Sequence, residues 1–367
     1  MRLDRGQRIM KREEINGIIL FDKPNIRYLT GYKPLMTCGE SAAVIGQDGE
    51  PCLIVPEGEF SLAKARSWIS NVRPYGIKNG TGKLPTLANL IKETIENLSL
   101  SSSLIGIELN FVSARRFEEL KRQFPDAGFK DVSMTIAELR MIKDEAEIER
   151  LTTAIQIAEH GVRTAIEIIQ PGITEVEVAT EVERTLRKAG ANQTGYPTVI
   201  ASDPRAGCSY APASQREIGA DEFIVIALSA VFDDYCSNIT RTVMTGKPNE
   251  AKRKLFECAR DGLQATRSKL IPGIQARDIA QTIYNVAKER EFESYSPDTM
   301  GNSIGLQPIE PPIFSINSEA PILPGMVFCI ESNLFHPELG GIRLCDTIVH
   351  QKDGSYKVLN QVPLDTV

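Results

Sequence analysis

The stretch VFDDYCSNITRTV (231–243) contains the pattern that decides the fold of the second half of the chain. Two aspartates, Asp233 and Asp234, follow an apolar run, and Asp is favoured in tight turns because its side chain hydrogen-bonds to the nearby backbone. Strand-like runs lie on both sides of this pair. The stretch therefore predicts a β-hairpin, with EFIVIALSAVFDD (222–234) before the turn and SNITRTVMTG (237–246) after it.

Helices are predicted on both sides of this hairpin. A long charged helix over 137–169 precedes it and stops before a Pro-Gly pair. A second helix is predicted for Glu175–Ala189, and two more follow the hairpin at Asn249–Leu270 and Ala276–Arg290. Two further strand-like runs, MVFCIESNLF and GIRLCDTIVH, complete this part. The resulting order is helices, strands, helices, strands.

The first part of the chain has a different pattern. Short apolar runs such as GIILF and PCLIV alternate with helix-like stretches around Ser61–Trp68 and Leu84–Asn97. Such alternation is typical of a small α/β domain. We therefore predict two domains, residues 1–135 and 136–367, with the boundary just before the long charged helix.

The composition excludes several classes of function. The 367 residues include 42 Lys and Arg against 48 Asp and Glu, a net charge of -6, without the basic excess that nucleic acid or an anionic membrane would require. No apolar run reaches the roughly 20 residues of a membrane span, and no signal-peptide core is present, so a cytoplasmic protein is expected. Cysteines without a CxxC pair predict reduced thiols rather than disulfides or a zinc knuckle.

Several phrases along the chain together resemble the creatinase and Xaa-Pro aminopeptidase family. The resemblance covers nearly the whole chain in the family's order. It implies an α/β (α+β) fold, in which a small creatinase-type N-terminal α/β domain (1–135) precedes a pita-bread C-terminal domain (136–367). It also implies a homodimer acting on a small-molecule substrate. The phrases are PNIRYLTGY (24–32), ELRMIKDEAEIE (138–149), PGITE (171–175), NITRT (238–242), GNSIGL followed by EPP (301–312), PGMVFCIE (324–331) and GGIRLCDT (340–347).

Metal-dependent members of that family bind two divalent ions through two Asp, one His and two Glu. By the same resemblance these ligand positions correspond to Ala227, Asn238, Asn302, Glu331 and Cys345. Only Glu331 has the family's residue type, and methyl, amide and thiol groups poorly replace anionic ligands for two dications. We therefore predict no metal and no cofactor, although Glu331 with Cys345 could still hold one soft ion.

The family's catalytic histidines are replaced as well. The position of one corresponds to Tyr210 in DPRAGCSYAP (203–212), and that of the other to Ile309. Residues that frame the family's site remain, among them Glu310 and Arg343. Creatinase, a member of the family, hydrolyses a C–N bond without metal by means of its side chains. This chain does not reproduce creatinase's catalytic residues either.

Three residues are predicted to be catalytic, namely Glu331, Tyr210 and Cys345. Glu331 ends the apolar run MVFCI, where burial would favour its neutral form for acid–base work; alternatively it only pairs with Arg343. The Arg343 guanidinium could lower the pKa of the Cys345 thiol and give a nucleophile, although a free cysteine is most often a small buried hydrophobe. Tyr210 could donate a hydrogen bond or act as a base, or it could pack in its loop with its hydroxyl in water.

Five residues are predicted to bind substrate, namely Asn238, Asn302, Glu310, Arg343 and His336. The two amides can donate and accept hydrogen bonds at once, which suits a polar or zwitterionic ligand. His336 could replace a lost general base, or it could be a solvated loop histidine.

Taken with the resemblance, these residues predict a metal-independent, creatinase-like hydrolase or lyase. Its substrate would be a small nitrogenous, amino-acid-like compound cleaved at a C–N bond. The alternative is a catalytically inactive Xaa-Pro peptidase homologue that acts as a binding protein. A metal-dependent Xaa-Pro aminopeptidase is ranked last, because four of the five ligand positions differ from the family's residues.

Overall fold

The computed structural model describes residues 2–35, 39–78 and 82–364. The chain forms two compact units, Met1–Arg140 and Met141–Val367, whereas the sequence predicts this division at 135/136. Of the helices in the described residues, none combines the length and apolarity needed to cross a bilayer.

The first unit is built around a mixed β-sheet. Among its described residues, six strands form one sheet in the order β4-β3-β2-β1-β7-β8, while β5 and β6 form a separate hairpin. Helix α4 and this sheet share a core that includes Ile19, Ile54, Ile91 and Ile105. The helices are α1 (Arg2–Arg12), α2 (Lys23–Thr30), α3 (Phe60–Arg66), α4 (Leu87–Asn97), α5 (Ala114–Gln123) and α6 (Ser133–Met141), and the strands are β1 (Gly17–Leu20), β2 (Ala42–Gly46), β3 (Cys52–Pro56), β4 (Asn71–Tyr75), β5 (Ile77–Lys78), β6 (Gly82–Lys83), β7 (Leu104–Ile107) and β8 (Gly128–Asp131).

A buried carboxylate fixes the start of α2. Glu108, which directly follows β7, is 0% exposed and accepts the backbone N–H groups of Phe21 at 2.6 Å and Asp22 at 2.8 Å. The side-chain amide of Asn25 donates to its other oxygen. Burial raises the pKa of Glu108 to about 7, although these three N–H donors act in the opposite direction.

The second unit pairs helices with a larger sheet. Within its described residues, the main sheet has the order β10-β11-β14-β18-β17-β15-β16, with β19 paired to β18, and a smaller sheet has the order β13-β12-β9. The helices are α7 (Glu145–Ile168), α8 (Glu175–Lys188), α9 (Glu250–Lys269) and α10 (Ala276–Glu289), and the strands are β9 (Gln193–Thr194), β10 (Val199–Ser202), β11 (Phe223–Leu228), β12 (Ala230–Phe232), β13 (Tyr235–Cys236), β14 (Ile239–Met244), β15 (Thr299–Ser303), β16 (Glu310–Ser315), β17 (Val327–His336), β18 (Gly340–His350) and β19 (Tyr356–Val358).

The predicted hairpin turn is confirmed at Asp233 and Asp234. Their φ angles of 45° and 72° are both positive, as the favoured two-residue hairpin turn requires, and they join β12 to β13. The single strand predicted before the turn is wrong, because Ser229 separates β11 from β12. β11 pairs with β14 in the main sheet, whereas β12 pairs with β13 and β9.

The single long helix predicted over 137–169 is also wrong, because the chain forms two helices, α6 and α7. Between them, Lys143 donates its backbone N–H to Gly325 O at 2.9 Å, and its buried ammonium lies 3.2 Å from the buried carboxylate of Glu310. Asp144 then begins α7 through a capping box with Glu147. Because these contacts of Lys143 are with residues far away in the sequence, the hydrophobic period of the segment does not reveal the break between α6 and α7.

Two apolar clusters join the helices of the second unit to its sheet. One joins α7 and α8 to β10, β11 and β14, with Val162 and Ile226 among its fully buried residues. The other joins α9 and α10 to β15, β16, β17 and β18, with Leu263 and Leu344 among its fully buried residues. Burial of each such side chain contributes about 1.5–3 kcal/mol, so the helices and the sheet stabilise each other.

The longest strands, β17 and β18, pair in register from Val327 opposite Val349 to His336 opposite Gly340. Successive side chains in a strand point to opposite sides of the sheet. One side of this ladder, the apolar face, contacts α9 and α10 through Phe328, Ile330, Leu334, Ile342, Leu344 and Ile348. The other side carries six residues, called here the polar face, which are Cys329, Glu331, Asn333, Arg343, Cys345 and Thr347.

Candidate functional site

Glu331 lies on the polar face, opposite Cys345, and its side chain is 12% exposed. Asn238 Nδ2 donates to Glu331 Oε1 at 3.1 Å, and Asn333 Nδ2 donates to Oε2 at 2.9 Å. Arg343 Nη2 lies 3.5 Å from Oε2 and completes an ion pair. Both oxygens of the carboxylate are therefore held by side-chain N–H groups.

Asn238 is itself held by a residue that the sequence did not single out. Tyr196 Oη donates to Asn238 Oδ1 at 2.9 Å, and Thr347 Oγ1 donates to the backbone carbonyl of Asn238 at 2.7 Å. The phenol thereby orients the amide so that Nδ2 meets Glu331. Burial raises the pKa of Tyr196 well above its usual value, although the Arg343 guanidinium acts in the opposite direction. Tyr196 is therefore a hydrogen-bond donor at neutral pH.

Two polar atoms on side chains that contact Glu331 are buried without a hydrogen-bond partner in the described structure. They are Asn333 Oδ1, an acceptor, and Arg343 Nε, a donor. The two residues occupy directly opposite positions of the β17–β18 ladder. Since buried polar groups are normally satisfied, a ligand with one N–H group and one carbonyl or carboxylate oxygen could satisfy both.

Cys345 lies on the polar face as expected, but its thiol is fully buried and its sulfur is 4.0 Å from Asn238 O. Burial raises the pKa of this thiol well above its usual value, and neighbouring Cys329 and Glu331 act in the same direction. The lowered pKa predicted from the Arg343 guanidinium is therefore wrong, because burial disfavours the charged thiolate. A nucleophilic role for Cys345 stays a prediction.

Asn302 and Glu310 use their described hydrogen bonds away from Glu331. Asn302 Nδ2 donates to the backbone carbonyls of Ser303 at 2.7 Å and Pro308 at 3.0 Å. Glu310, on β16, forms the buried ion pair with Lys143 that separates α6 from α7. These contacts assign both residues a role in shaping the loop before β16, and their substrate-binding roles stay predictions.

Tyr210 and His336 lie in different surroundings from Glu331. Tyr210 is 50% exposed, and its Oη is 3.5 Å from Pro197 O. The His336 ring packs against Tyr295 with ring centres 4.3 Å apart, and its Nδ1 accepts two backbone N–H groups of the following turn. By the strand alternation, His336 points to the side of β17 opposite to Glu331, which does not favour the predicted binding role.

The five positions that the sequence analysis assigns to metal ligands do not fit a pair of metal ions. Within the described residues, no cluster of three or more His, Cys, Asp or Glu could hold an ion. Ala227 contributes a methyl group to an apolar cluster with Val199 and Val225. The amide N–H groups of Asn238 and Asn333 point at Glu331, where a metal ion would need lone pairs of oxygen, nitrogen or sulfur.

Comparison with known protein families matches most of both units. Residues 2–142 match the Creatinase/Prolidase N-terminal domain. Residues 149–352, more than half of the chain, match Metallopeptidase family M24. The two matches follow each other in the order that the sequence resemblance implies, and they confirm the predicted combination of domain types.

Individual relatives match over nearly their whole length. The chain is 32% identical over 349 residues to a Xaa-Pro dipeptidase of Pyrococcus horikoshii, which covers 95% of this chain and 94% of the relative. It is 30% identical to a Xaa-Pro dipeptidase of Pyrococcus furiosus, with 97% of each chain covered. The solved prolidase structure from Pyrococcus horikoshii OT3 has a TM-score of 0.89 at 29% identity, covering 100% of this chain and 99% of that one.

These relatives overturn two predictions of function and support others. The metal-independent, creatinase-like hydrolase or lyase is contradicted, as is the inactive binding protein, because the curated relatives are named Xaa-Pro dipeptidases, the class that the sequence analysis ranked last. The broader prediction of a hydrolase acting on a C–N bond agrees with them. The fold class and the family resemblance are confirmed. The chain belongs to metallopeptidase family M24 and carries a creatinase/prolidase N-terminal domain.

Proposed function

We propose that the chain hydrolyses the peptide bond of short Xaa-Pro peptides at the site around Glu331. The match to Xaa-Pro dipeptidases over 95% of the chain supports this class of reaction. The observation that carries the proposal is the state of Glu331, whose two oxygens are both oriented by N–H donors beside two unsatisfied polar atoms. Such an arrangement holds a carboxylate in one place while leaving a ligand something to bind.

Glu331 is suited to move the proton that peptide hydrolysis requires. In that reaction a water oxygen bonds to the carbonyl carbon, the C–N bond breaks, and one proton passes from the water to the leaving nitrogen. Glu331 accepts that proton and returns it to the proline nitrogen. Asn238 and Asn333 keep the carboxylate oriented during the transfer, and Tyr196 keeps Asn238 in its rotamer.

The unsatisfied atoms suggest how a dipeptide is held. In this proposal Arg343 Nε donates to a carbonyl or carboxylate oxygen of the substrate and Asn333 Oδ1 accepts an N–H group, because both atoms lack a hydrogen-bond partner in the described residues. The bond to proline carries no N–H, because proline lacks an amide hydrogen. The donor to Asn333 must therefore be the free amino group of the first residue.

The assay that tests this proposal measures release of proline from Leu-Pro and from 4-methylpentanoyl-proline, which is the same compound without its amino group. We expect cleavage of Leu-Pro, and about tenfold slower cleavage of the second compound because Asn333 Oδ1 loses its donor. Asn333→Ala should remove most of that difference. Failure of the wild-type protein to release proline from any Xaa-Pro dipeptide would contradict the proposed function.

Elemental mass spectrometry on protein purified without chelators addresses the ligand positions directly. The ion count decides between the metallopeptidase chemistry of the family to which the chain belongs and the argument from its side chains, in which the described residues form no group that fits an ion. The Leu-Pro assay is run with and without added Mn²⁺ on the same preparation. Two tightly bound ions per chain would contradict the argument drawn from Ala227, Asn238, Asn302 and Cys345.

We further propose a homodimer that resides in the cytoplasm and acts on a small molecule rather than on nucleic acid or a membrane. The net charge of -6 supports the last point, because phosphate-rich partners attract basic proteins. The family resemblance supports the dimer. Light scattering coupled to size-exclusion chromatography measures the oligomeric state, and a mass of one chain at assay concentration would contradict it.

A further inference from the structure

The loop 203–214, called here the wall loop, lies between β10 and the candidate site. Its Ser209 carbonyl accepts a hydrogen bond from Arg343 Nη1 at 3.3 Å, and Arg343 Nη2 lies 3.5 Å from Glu331. The loop also carries Tyr210 and the exposed Cys208. Its position therefore affects the Arg343 side chain that pairs with Glu331.

Both ends of the wall loop are tied to one buried carboxylate. Glu175, in the first turn of α8, is 0% exposed. Its Oε1 accepts the backbone N–H and the hydroxyl of Ser202, each at 2.8 Å. Its Oε2 accepts the backbone N–H of Ser214 at 3.0 Å, the hydroxyl of Ser214 at 2.7 Å, and Arg205 Nε at 3.1 Å. One side chain thus holds the start, the first turn and the end of the loop.

The wall loop packs just as tightly on β18. A Cβ added at Gly341 would lie 1.7 Å from Ala206 O, and one added at Gly340 would lie 1.9 Å from Asp203 Oδ1. Gly341 is two residues before Arg343 on the same strand. The loop is therefore fixed between the N-terminal turn of α8 and the strand that carries the Arg343 side chain.

We propose that Glu175 is a positioning residue for the site, because it sets the wall loop against Arg343 and thereby sets the distance between Arg343 and Glu331. The proposal rests on the proposed function for its kinetic consequence. The mechanical consequence, protection of the loop, is independent of any substrate. Five hydrogen bonds on one buried carboxylate exceed what capping of α8 needs, since Thr174 and Glu177 already form its capping box.

The test compares Glu175→Gln with Glu181→Gln, an exposed control on the same helix that pairs only with Arg184 in the described contacts. Hydrogen exchange and tryptic cleavage after Arg205 report the loop, and kcat and KM for Leu-Pro report the site. We expect Glu175→Gln to speed cleavage after Arg205 at least about tenfold and to lower kcat/KM about tenfold, mainly through KM because substrate binding by Arg343 is lost. Glu181→Gln should change neither the cleavage rate nor kcat/KM. Glu175→Asp keeps the charge, so both quantities should lie between those of Glu175→Gln and wild type.

A second variant, Ser214→Ala, removes only one of the hydroxyl groups that donate to Glu175. We expect it to fold even if Glu175→Gln does not. It should change both readouts in the same direction by a smaller factor. A loosened wall loop with unchanged kcat/KM, or an unchanged loop in Glu175→Gln, overturns the proposal. A wild-type protein without Xaa-Pro turnover overturns the proposed function and, with it, the kinetic part of this proposal, while the exchange data still decide whether Glu175 holds the loop.

Discussion

The apolar face and the polar face of the β17–β18 ladder belong to the same two strands but serve different purposes. On the apolar face, six aliphatic or aromatic side chains are buried against α9 and α10. On the polar face, Glu331 is surrounded by amide, guanidinium and thiol groups, and two polar atoms are unsatisfied. Burial on the first face stabilises the fold, and the second face is the one proposed to carry the chemistry.

This difference explains how the chain could keep the family's fold if its metal-ligand positions differ, as the sequence analysis predicts. Because alternate side chains point to opposite sides of a strand, the residue at a predicted ligand position such as Cys345 can change without changing the packing of Leu344 or Ile342. Asn238, which the sequence analysis predicts to stand at an aspartate position, directly precedes β14, and the pairing of β14 with β11 begins at the next residue, Ile239. Fold and site residues can therefore diverge independently within a single pair of strands.

The largest expected effect tests the polar face. Glu331→Gln keeps the shape of the side chain but cannot accept a proton, so we expect kcat for Leu-Pro to fall about 100- to 10,000-fold. The free energy of unfolding in urea should fall by about 1–3 kcal/mol, because the new NH₂ group faces the N–H donors that hold Glu331. The matched control is Ser332→Ala, one residue along β17 on the opposite side of the strand. Equal turnover in Glu331→Gln and wild type would contradict the proposal that the polar face carries out the reaction.

The next effect tests the apolar face. Leu344→Ala removes a fully buried side chain from the cluster with α9 and α10, and we expect it to lower the free energy of unfolding by about 2–5 kcal/mol. Below its unfolding temperature the variant should retain kcat within about threefold, because Leu344 points away from Glu331. Urea titration and the Leu-Pro assay measure the two quantities. Loss of activity without loss of stability would contradict the assignment of this face.

Glu108, a buried carboxyl group in the first unit, shows how burial changes a pKa away from both faces of the ladder. The pKa of Glu108 is raised to about 7 in the folded protein, above its usual value near 4.5. The protonated form is therefore favoured on folding, so its contribution to stability is full below about pH 4.5 and is lost as the pH rises to about 7.

Urea titrations of wild type and Glu108→Gln at pH 5, 6, 7 and 8 measure this effect. Relative to the variant, the wild-type free energy of unfolding should fall with a slope of up to about 1.4 kcal/mol per pH unit between pH 5 and 7 and then level off. A difference that does not vary with pH would show that the three N–H donors, rather than burial, dominate at Glu108.

The smallest expected effect tests a residue behind the polar face. Tyr196→Phe removes the hydroxyl that orients Asn238, and we expect kcat/KM for Leu-Pro to fall about three- to tenfold, in line with the loss of one hydrogen bond. The double variant Tyr196→Phe/Asn238→Ala should lose no more kcat/KM than Asn238→Ala alone, because Tyr196 acts only through Asn238. Additive losses in the double variant would mean that Tyr196 acts independently of Asn238.

Much of the fold could be predicted from the sequence, because its signals are local or repeat a family pattern. The Asp233-Asp234 turn and the helices of the second unit follow from turn chemistry and hydrophobic period. The break between α6 and α7 could not be predicted, since it depends on the ion pair of Lys143 with Glu310, 167 residues away.

The site was predictable only in part. Glu331 and Asn238 were singled out from the family motifs, and the structure brings them within hydrogen-bonding distance. Tyr196 was missed because its contact with Asn238 spans 42 residues and depends on how β10, β11 and β14 pair. The pKa direction of Cys345 was wrong because sequence neighbours such as Arg343 are visible in the sequence, whereas the depth of burial is not.

The exposed thiol of Cys208 makes the wall loop accessible to spectroscopy. Cysteines 52, 236, 258, 329 and 345 are buried, so within the described residues a maleimide reagent should react selectively at Cys208. After Cys38, outside the described residues, is replaced by serine, a single nitroxide or fluorophore would report on this loop alone. Its rotational mobility could then be followed in real time as dipeptide is mixed with the protein, without any further change to the site.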